Sequence, residues 1–173
     1  MRARGFTLVE LMVVVAIVAI LAAIAFPSFE ATMRSNRVAT TTNELIASFA
    51  LARSEAVRSP RGAGICTSTD GTSCTDSDWS EGWIVWIDIN GNGELDAAAG
   101  DRVVRYSQAK PGVQIEAGAG GSNNLQFDQR GFLVGGLQTL TLQSTECPTN
   151  APLVRTFTVK ATGGTSVARG TCS

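Results

Sequence analysis

Glu10 is the residue whose position asks most of chemistry. It is the one charged side chain in an otherwise apolar run from Leu8 to Phe26. A carboxylate in hydrocarbon costs roughly 2.5–3.5 kcal/mol on insertion scales, so such a group generally has a function and a partner. A buried charge that meets its opposite fixes register between chains, whereas an unpaired one is expensive. Conventional catalysis has little to work with elsewhere. The 173 residues contain no histidine. That removes Ser-His-Asp and Cys-His catalysis, the HExxH zinc helix and histidine acid–base work. No nucleophile motif stands in their place, so an enzyme is not expected. Four cysteines are present, Cys66, Cys74, Cys147 and Cys172, with no CxxC pair. Without histidine they cannot complete a mixed zinc site. In an exported chain an even count reads as two disulfides, Cys66–Cys74 and Cys147–Cys172 by nearest neighbours in sequence. The alternative is four free buried thiols.

Three further groups could bind a ligand. Asp88, Asn90 and Asn92 alternate along the chain before Gly93 and Asp96, the spacing that opens an EF-hand loop. The twelfth position is Ala99 rather than a bidentate glutamate, with Asp101 two residues beyond it. Calcium on Asp88, Asn90, Asn92 and Asp96, with Asp101, is the candidate cofactor, and no other is expected. The plain alternative is a pair of Asn-Gly turns between strands. Trp79, Trp83 and Trp86 are clustered, but Trp83 and Trp86 have opposite strand parity, which favours packing on both sheet faces over a binding platform. Arg155, Lys160 and Arg169 are the candidate phosphate contacts, with Arg130. Arg155 shares parity with the apolar Phe157 and Val159, while Lys160 shares it with Thr156 and Thr158 and should face solvent. The formal charge of −1 gives no broad basic field for nucleic acid.

These residues are positioned by one long helix and a turn-rich β region. The run from Leu8 to Phe26 would span about 28 Å as a helix, close to a bilayer core, with Arg2 and Arg4 on the cytoplasmic side. Pro27 should kink or loosen the helix. Leu45, Phe49, Ala52 and Ala56 then follow helical spacing, with Val38 a heptad earlier, so one face packs on a sheet. Pro60 and Gly62 should stop the helix near Ser59, for a length of about 80 Å from Phe6. The expected strands are Gly82 to Asp88, apolar on both faces and hence central, then Val103 to Ser107, Val113 to Ala117, Asn124 to Asp128, Leu137 to Gln143 and Leu153 to Ala161. Gly118 to Asn124 reads as an exposed flexible loop.

A plain membrane anchor leaves Glu10 unexplained. So does a secretory signal cut after Ala23-Ile24-Ala25. Gly5-Phe6-Thr7-Leu8-Val9-Glu10 instead resembles the prepilin peptidase site of type IV pilins and pseudopilins. The resemblance implies cleavage between Gly5 and Phe6, methylation of the new Phe6 amine and retention of the apolar helix. Glu10, one helical turn on, would meet the N-terminus of a neighbouring subunit. Leu51 to Val57, Trp79 to Asp88 and Asp101 to Arg105 are similar to the GspH/FimT family of minor pilins and pseudopilins. That likeness implies an α+β pilin fold, one long N-terminal helix packed on a C-terminal antiparallel β-sheet domain. The divisions are a leader at 1–5, a transmembrane and filament-core helix at 6–27, an amphipathic helix at 28–60 and a β domain at 61–173. The implied function is a minor type IV pilin in piliation, twitching motility, adhesion and DNA uptake, with a pseudopilin of type II secretion as the alternative. The implied partners are prepilin peptidase, the inner membrane and other major and minor pilins. The chain would sit as a single-pass inner-membrane precursor before reaching pilus, periplasm or cell surface. Some FimT-branch members look like DNA receptors that use arginines in the C-terminal tail. Here Gly163 to Cys172 holds only Arg169, so a DNA receptor or adhesin module is a further alternative and is not favoured.

Overall fold

The computed structural model describes residues 6–173, apart from the side chains of residues 24–28. Gly5 and the rest of the leader lie outside the described residues, whereas the backbone at Pro27, where loosening is expected, continues as helix. One helix, α1 (Leu8–Arg58), precedes everything else. Thr7 opens it: its Oγ1 accepts the Glu10 N–H at 3.2 Å, while its own N–H and hydroxyl donate to Glu10 Oε2, each at 2.9 Å. This reciprocal arrangement is a capping box. At the far end Ser59 caps the helix where Pro60 and Gly62 place the stop. Its N–H donates to the Glu55 carbonyl at 2.8 Å and its hydroxyl to the Asp88 carbonyl at 3.0 Å. Among the described residues no helix is long and apolar enough to cross a membrane.

Val38, Leu45, Phe49, Ala52 and Ala56 are all fully buried, the helical face that the spacing predicts. Two four-stranded antiparallel sheets meet it. The first contains β1 (Ala63–Thr67), β2 (Gly82–Ile87), β3 (Arg102–Gln108) and β5 (Asn124–Phe127), in the order β3-β2-β1-β5. The second contains β4 (Val113–Ala117), β6 (Gln138–Ser144), β7 (Val154–Val159) and β8 (Thr165–Gly170), in the order β4-β6-β7-β8. One long helix on antiparallel sheets is the expected α+β pilin layout. Phe49 joins the layers, with its ring 6.0 Å from Trp79, 6.3 Å from Phe127 and 5.0 Å from Phe157, centroid to centroid. Glu44 and Lys110 pin the helix to the β3–β4 connection at 2.7 Å, and the Lys110 ammonium also lies 5.1 Å above the Trp83 ring. Burial pushes the Glu44 carboxyl up, but hydrogen bonds from Lys110 and Ser107 and the Lys110 charge bring it below its ordinary value.

β2 is interior, between β3 and β1, as its two apolar faces require. Its tryptophans divide accordingly. Trp83 joins the core beneath the helix, while Trp86 packs on the other face with Cys66 and Ile84. Both are fully buried, as is Trp79 at 1% exposure, which overturns the aromatic platform. Two strands, β1 and β8, were not expected. β1 is hidden in sequence by Gly62 and Gly64. Yet Gly64 stands opposite Trp86, and a Cβ there would lie 2.5 Å from the indole. The missing side chain lets the ring approach the strand closely. β8 carries no apolar alternation and its residues are almost all exposed; pairing with β7 along its whole length holds it.

Two disulfides complete the domain. Cys66–Cys74, with Cα atoms 5.6 Å apart, closes the loop after β1, and Cys147–Cys172, at 5.5 Å, ties the end of the chain to the segment after β6. Each contributes on the order of 3 kcal/mol by restricting the unfolded chain.

Candidate functional site

The start of α1 is the most exposed apolar part of the described structure. Phe6 is 91% exposed, and the apolar side chains from Leu8 to Leu21 point into open space around the helix. One face of the second half of the same helix is buried under two sheets. Half of α1 therefore has a partner within the subunit and half does not, and an apolar surface of that extent marks a site of association. Glu10 lies at the start of the unpartnered half. In the single subunit its carboxylate folds back on Thr7 through the capping box, a satisfied but local arrangement.

The loop expected to hold calcium closes on its own backbone instead. Asp88 Oδ1 accepts from the Gly91 N–H at 2.5 Å and Oδ2 from the Gly93 N–H at 3.0 Å. Asn90 Oδ1 accepts from Asn92 N–H, Asn92 Oδ1 from Glu94 N–H and Asp96 Oδ1 from Ala98 N–H, each at 2.9 Å. Asp101 is buried and clamps the base of the loop, with Oδ1 on the Ile89 N–H and Oδ2 on the Asp96 N–H, both at 2.8 Å. Each candidate ligand thus has at least one oxygen turned to the loop's N–H groups. Among the described residues no group of three or more acidic or cysteine side chains is placed to hold a metal ion. This arrangement is a self-capped turn, the plain alternative to a calcium loop. Millimolar calcium is therefore expected to leave the melting temperature unchanged. A rise abolished by Asp88→Ala would contradict this.

The candidate phosphate contacts do not form one patch. Arg155 and Arg169 stand directly opposite each other on β7 and β8. The Arg155 guanidinium donates to the carbonyls of Pro152 at 3.0 Å and Val154 at 2.8 Å. Lys160 lies at the other end of β7, about 16 Å along the strand. Arg130 is bound to Asp128 at 2.9 Å and covers the Phe132 ring at 5.2 Å. The Phe132 and Arg130 N–H groups, with the Arg130 charge, hold the Asp128 carboxyl below its ordinary value. Cleavage after Gly5 would also remove Arg2 and Arg4 from 14 basic side chains, against 15 acidic ones. One cross-strand arginine pair, with Lys160 further along the strand and Arg130 already bound to Asp128, supports only weak phosphate neutralisation on a net acidic chain. Duplex DNA should bind no tighter than on the order of tens of micromolar at physiological salt. A submicromolar constant lost in Arg155→Ala with Arg169→Ala would show that a receptor site exists.

Sequence reasoning missed the Asp101 clamp and the hydroxyl of Ser59 on Asp88, which together lock the loop to the end of α1. The signal for the first was present, since Asp101 stands just before a strand, where an acidic side chain can cap the loop's N–H groups.

Comparison with known proteins gives two findings. A family model described as type II transport protein GspH matches residues 41–163, and the prokaryotic N-terminal methylation motif matches residues 1–26. No curated protein and no solved structure matches the chain.

Proposed function

The chain belongs to the GspH family and carries the N-terminal methylation motif, which makes it a minor pilin or pseudopilin, and from that membership we propose that it is a minor type IV pilin. Members of this family are structural subunits rather than enzymes and are made as membrane-anchored precursors. In the proposed course, prepilin peptidase removes residues 1–5 and the Phe6 amine is methylated. The segment at 6–27 holds the subunit in the inner membrane as a single span. It then packs among the helices of other pilins, with the amphipathic stretch 28–60 and the β domain 61–173 outside the filament core.

The observation that carries this reading is the division of α1. One half packs a face under the sheets, and the other exposes apolar side chains from Leu8 to Leu21 with a carboxylate at its start. Such a helix fits first a bilayer and then a bundle of like helices. Minor subunits of this shape help to start assembly and sit at or near the tip. The likeness of Leu51 to Val57 and Trp79 to Asp88 is to the GspH/FimT family, which holds minor pilins and pseudopilins alike. A second reading, a minor pseudopilin of type II secretion, is favoured by the description of the matching family. Deleting the gene separates them. Loss of surface pili and twitching with secretion intact supports the pilus reading, and loss of secretion with normal pili overturns it in favour of the second.

A further inference from the structure

Asn90-Gly91 and Asn92-Gly93 are the two Asn-Gly steps of the chain, and they follow each other in the loop between β2 and β3. Asn-Gly is the dipeptide in which the next backbone nitrogen most easily reaches the asparagine side-chain carbon, because glycine brings no Cβ into the approach. Asn90 and Asn92 are both exposed, so water reaches them.

The loop prepares one half of that reaction and obstructs the other. Attack on the side-chain amide builds negative charge on its oxygen. Asn90 Oδ1 already accepts an N–H from Asn92 and Asn92 Oδ1 one from Glu94, each at 2.9 Å, which is where charge on those oxygens would be stabilised. The nucleophiles are the nitrogens of Gly91 and Gly93, and each must shed its proton to attack. Both N–H groups are held by one carboxylate: Gly91 donates to Asp88 Oδ1 at 2.5 Å and Gly93 to Asp88 Oδ2 at 3.0 Å. A negative charge beside an amide that must become an anion opposes the loss of its proton. Asp88 is 5% exposed, so solvent screens that opposition poorly.

We propose that Asn90 and Asn92 form a latent deamidation site which the Asp88 carboxylate keeps closed in the folded subunit. In the open reaction the glycine nitrogen bonds to the side-chain carbon, its proton leaves to solvent, and the side-chain nitrogen departs as ammonia. The resulting five-membered imide then takes up one water at either carbonyl. The products are aspartate or isoaspartate, and the balance is asparagine plus water giving acid plus ammonia, with no change of oxidation state. Either product adds a carboxylate to a loop that already carries Asp88, Asp96 and Asp101. Isoaspartate also lengthens the backbone by one carbon, so the turn closed by Asp88 cannot re-form. The modification therefore runs in one direction and unlocks the loop from the end of α1.

The test ages the full-length mature chain in detergent at mildly alkaline pH and maps isoaspartate and the accompanying mass gain by peptide. The same is done for the reduced, denatured chain and for Asp88→Ala and Asp88→Asn. The second variant keeps the size and one acceptor oxygen while removing the charge, so it carries the test if Asp88→Ala does not fold. Near-ultraviolet circular dichroism verifies folding, and Asn90→Gln removes the signal at the first site as an assignment control. A loss of acidity of one unit at the amide is tenfold in its anion. The folded wild-type chain is therefore expected to deamidate at least about tenfold more slowly than the denatured one, with folded Asp88→Asn recovering most of that difference. Equal rates in folded and denatured wild type would overturn the proposal. So would a folded Asp88→Asn chain as resistant as wild type.

Discussion

Glu10→Val is expected to leave the processed chain in the membrane and to reduce its recovery in sheared filaments by on the order of a hundredfold or more. Removing one partner of a buried ion pair costs about 3–5 kcal/mol, because the other charge remains in a dry environment. Here the stranded charge would be the amino terminus of a neighbouring subunit. The membrane half of the life cycle responds in the opposite sense, since exchanging a carboxylate for valine in hydrocarbon favours insertion by about 3 kcal/mol. The same change also breaks the capping box with Thr7. That loss is on the order of 1 kcal/mol, at the end of α1 remote from the buried core, and leaves the β domain folded. Membrane retention, an intact domain and absence from filaments is therefore the combined signature. Wild-type recovery of Glu10→Val in filaments would show that the carboxylate has no part in assembly.

Phe49→Ala is expected to cost about 3–5 kcal/mol, the range for removing a buried aromatic ring that leaves a cavity. The residue is 1% exposed and touches rings from both sheets: Phe127 at the end of β5 and Phe157 in β7, besides Trp79. Its removal therefore loosens the helix from both layers at once. A domain of this size is stabilised by about 5–15 kcal/mol in total, so the loss is a large fraction of it. The melting temperature should fall by about 10 °C. Phe49→Leu retains most of the volume and should cost less than the alanine change, about 1–2 kcal/mol. Thermal unfolding of the oxidised protein measures both. A loss below about 1 kcal/mol for Phe49→Ala would mean that the two sheets do not depend on this ring.

The legible parts of this fold were those with a strong physical period. Val38, Leu45, Phe49, Ala52 and Ala56 mark one helical face, and all five are buried. Pro60 and Gly62 mark its end, and α1 stops at Arg58. The apolar run of β2 marks an interior strand, and it lies between β3 and β1. What stayed hidden depends on contacts remote in sequence. β1 owes its place to a glycine that fits beneath Trp86, and β8 to pairing with β7, and neither leaves a pattern in its own residues. The division into two sheets was hidden for the same reason, since β4 and β5 are consecutive yet pair with β6 and β1.

The candidate sites were legible in type more than in use. Asp88, Asn90 and Asn92 do converge in one loop, but sequence spacing cannot show that the loop's own N–H groups reach those oxygens first. Arg155 and Arg169 are direct cross-strand neighbours only because β8 exists, a strand whose residues give no sign of it.

The central claim is that this chain is cut after Gly5 and enters a filament with its apolar helix intact. Intact mass spectrometry of the chain recovered from sheared filaments tests it most directly. The predicted species begins at N-methylated Phe6 and carries both disulfides. A mature chain beginning at Phe26, as a secretory signal peptide would leave it, or a filament fraction that holds none of this chain, would contradict the account.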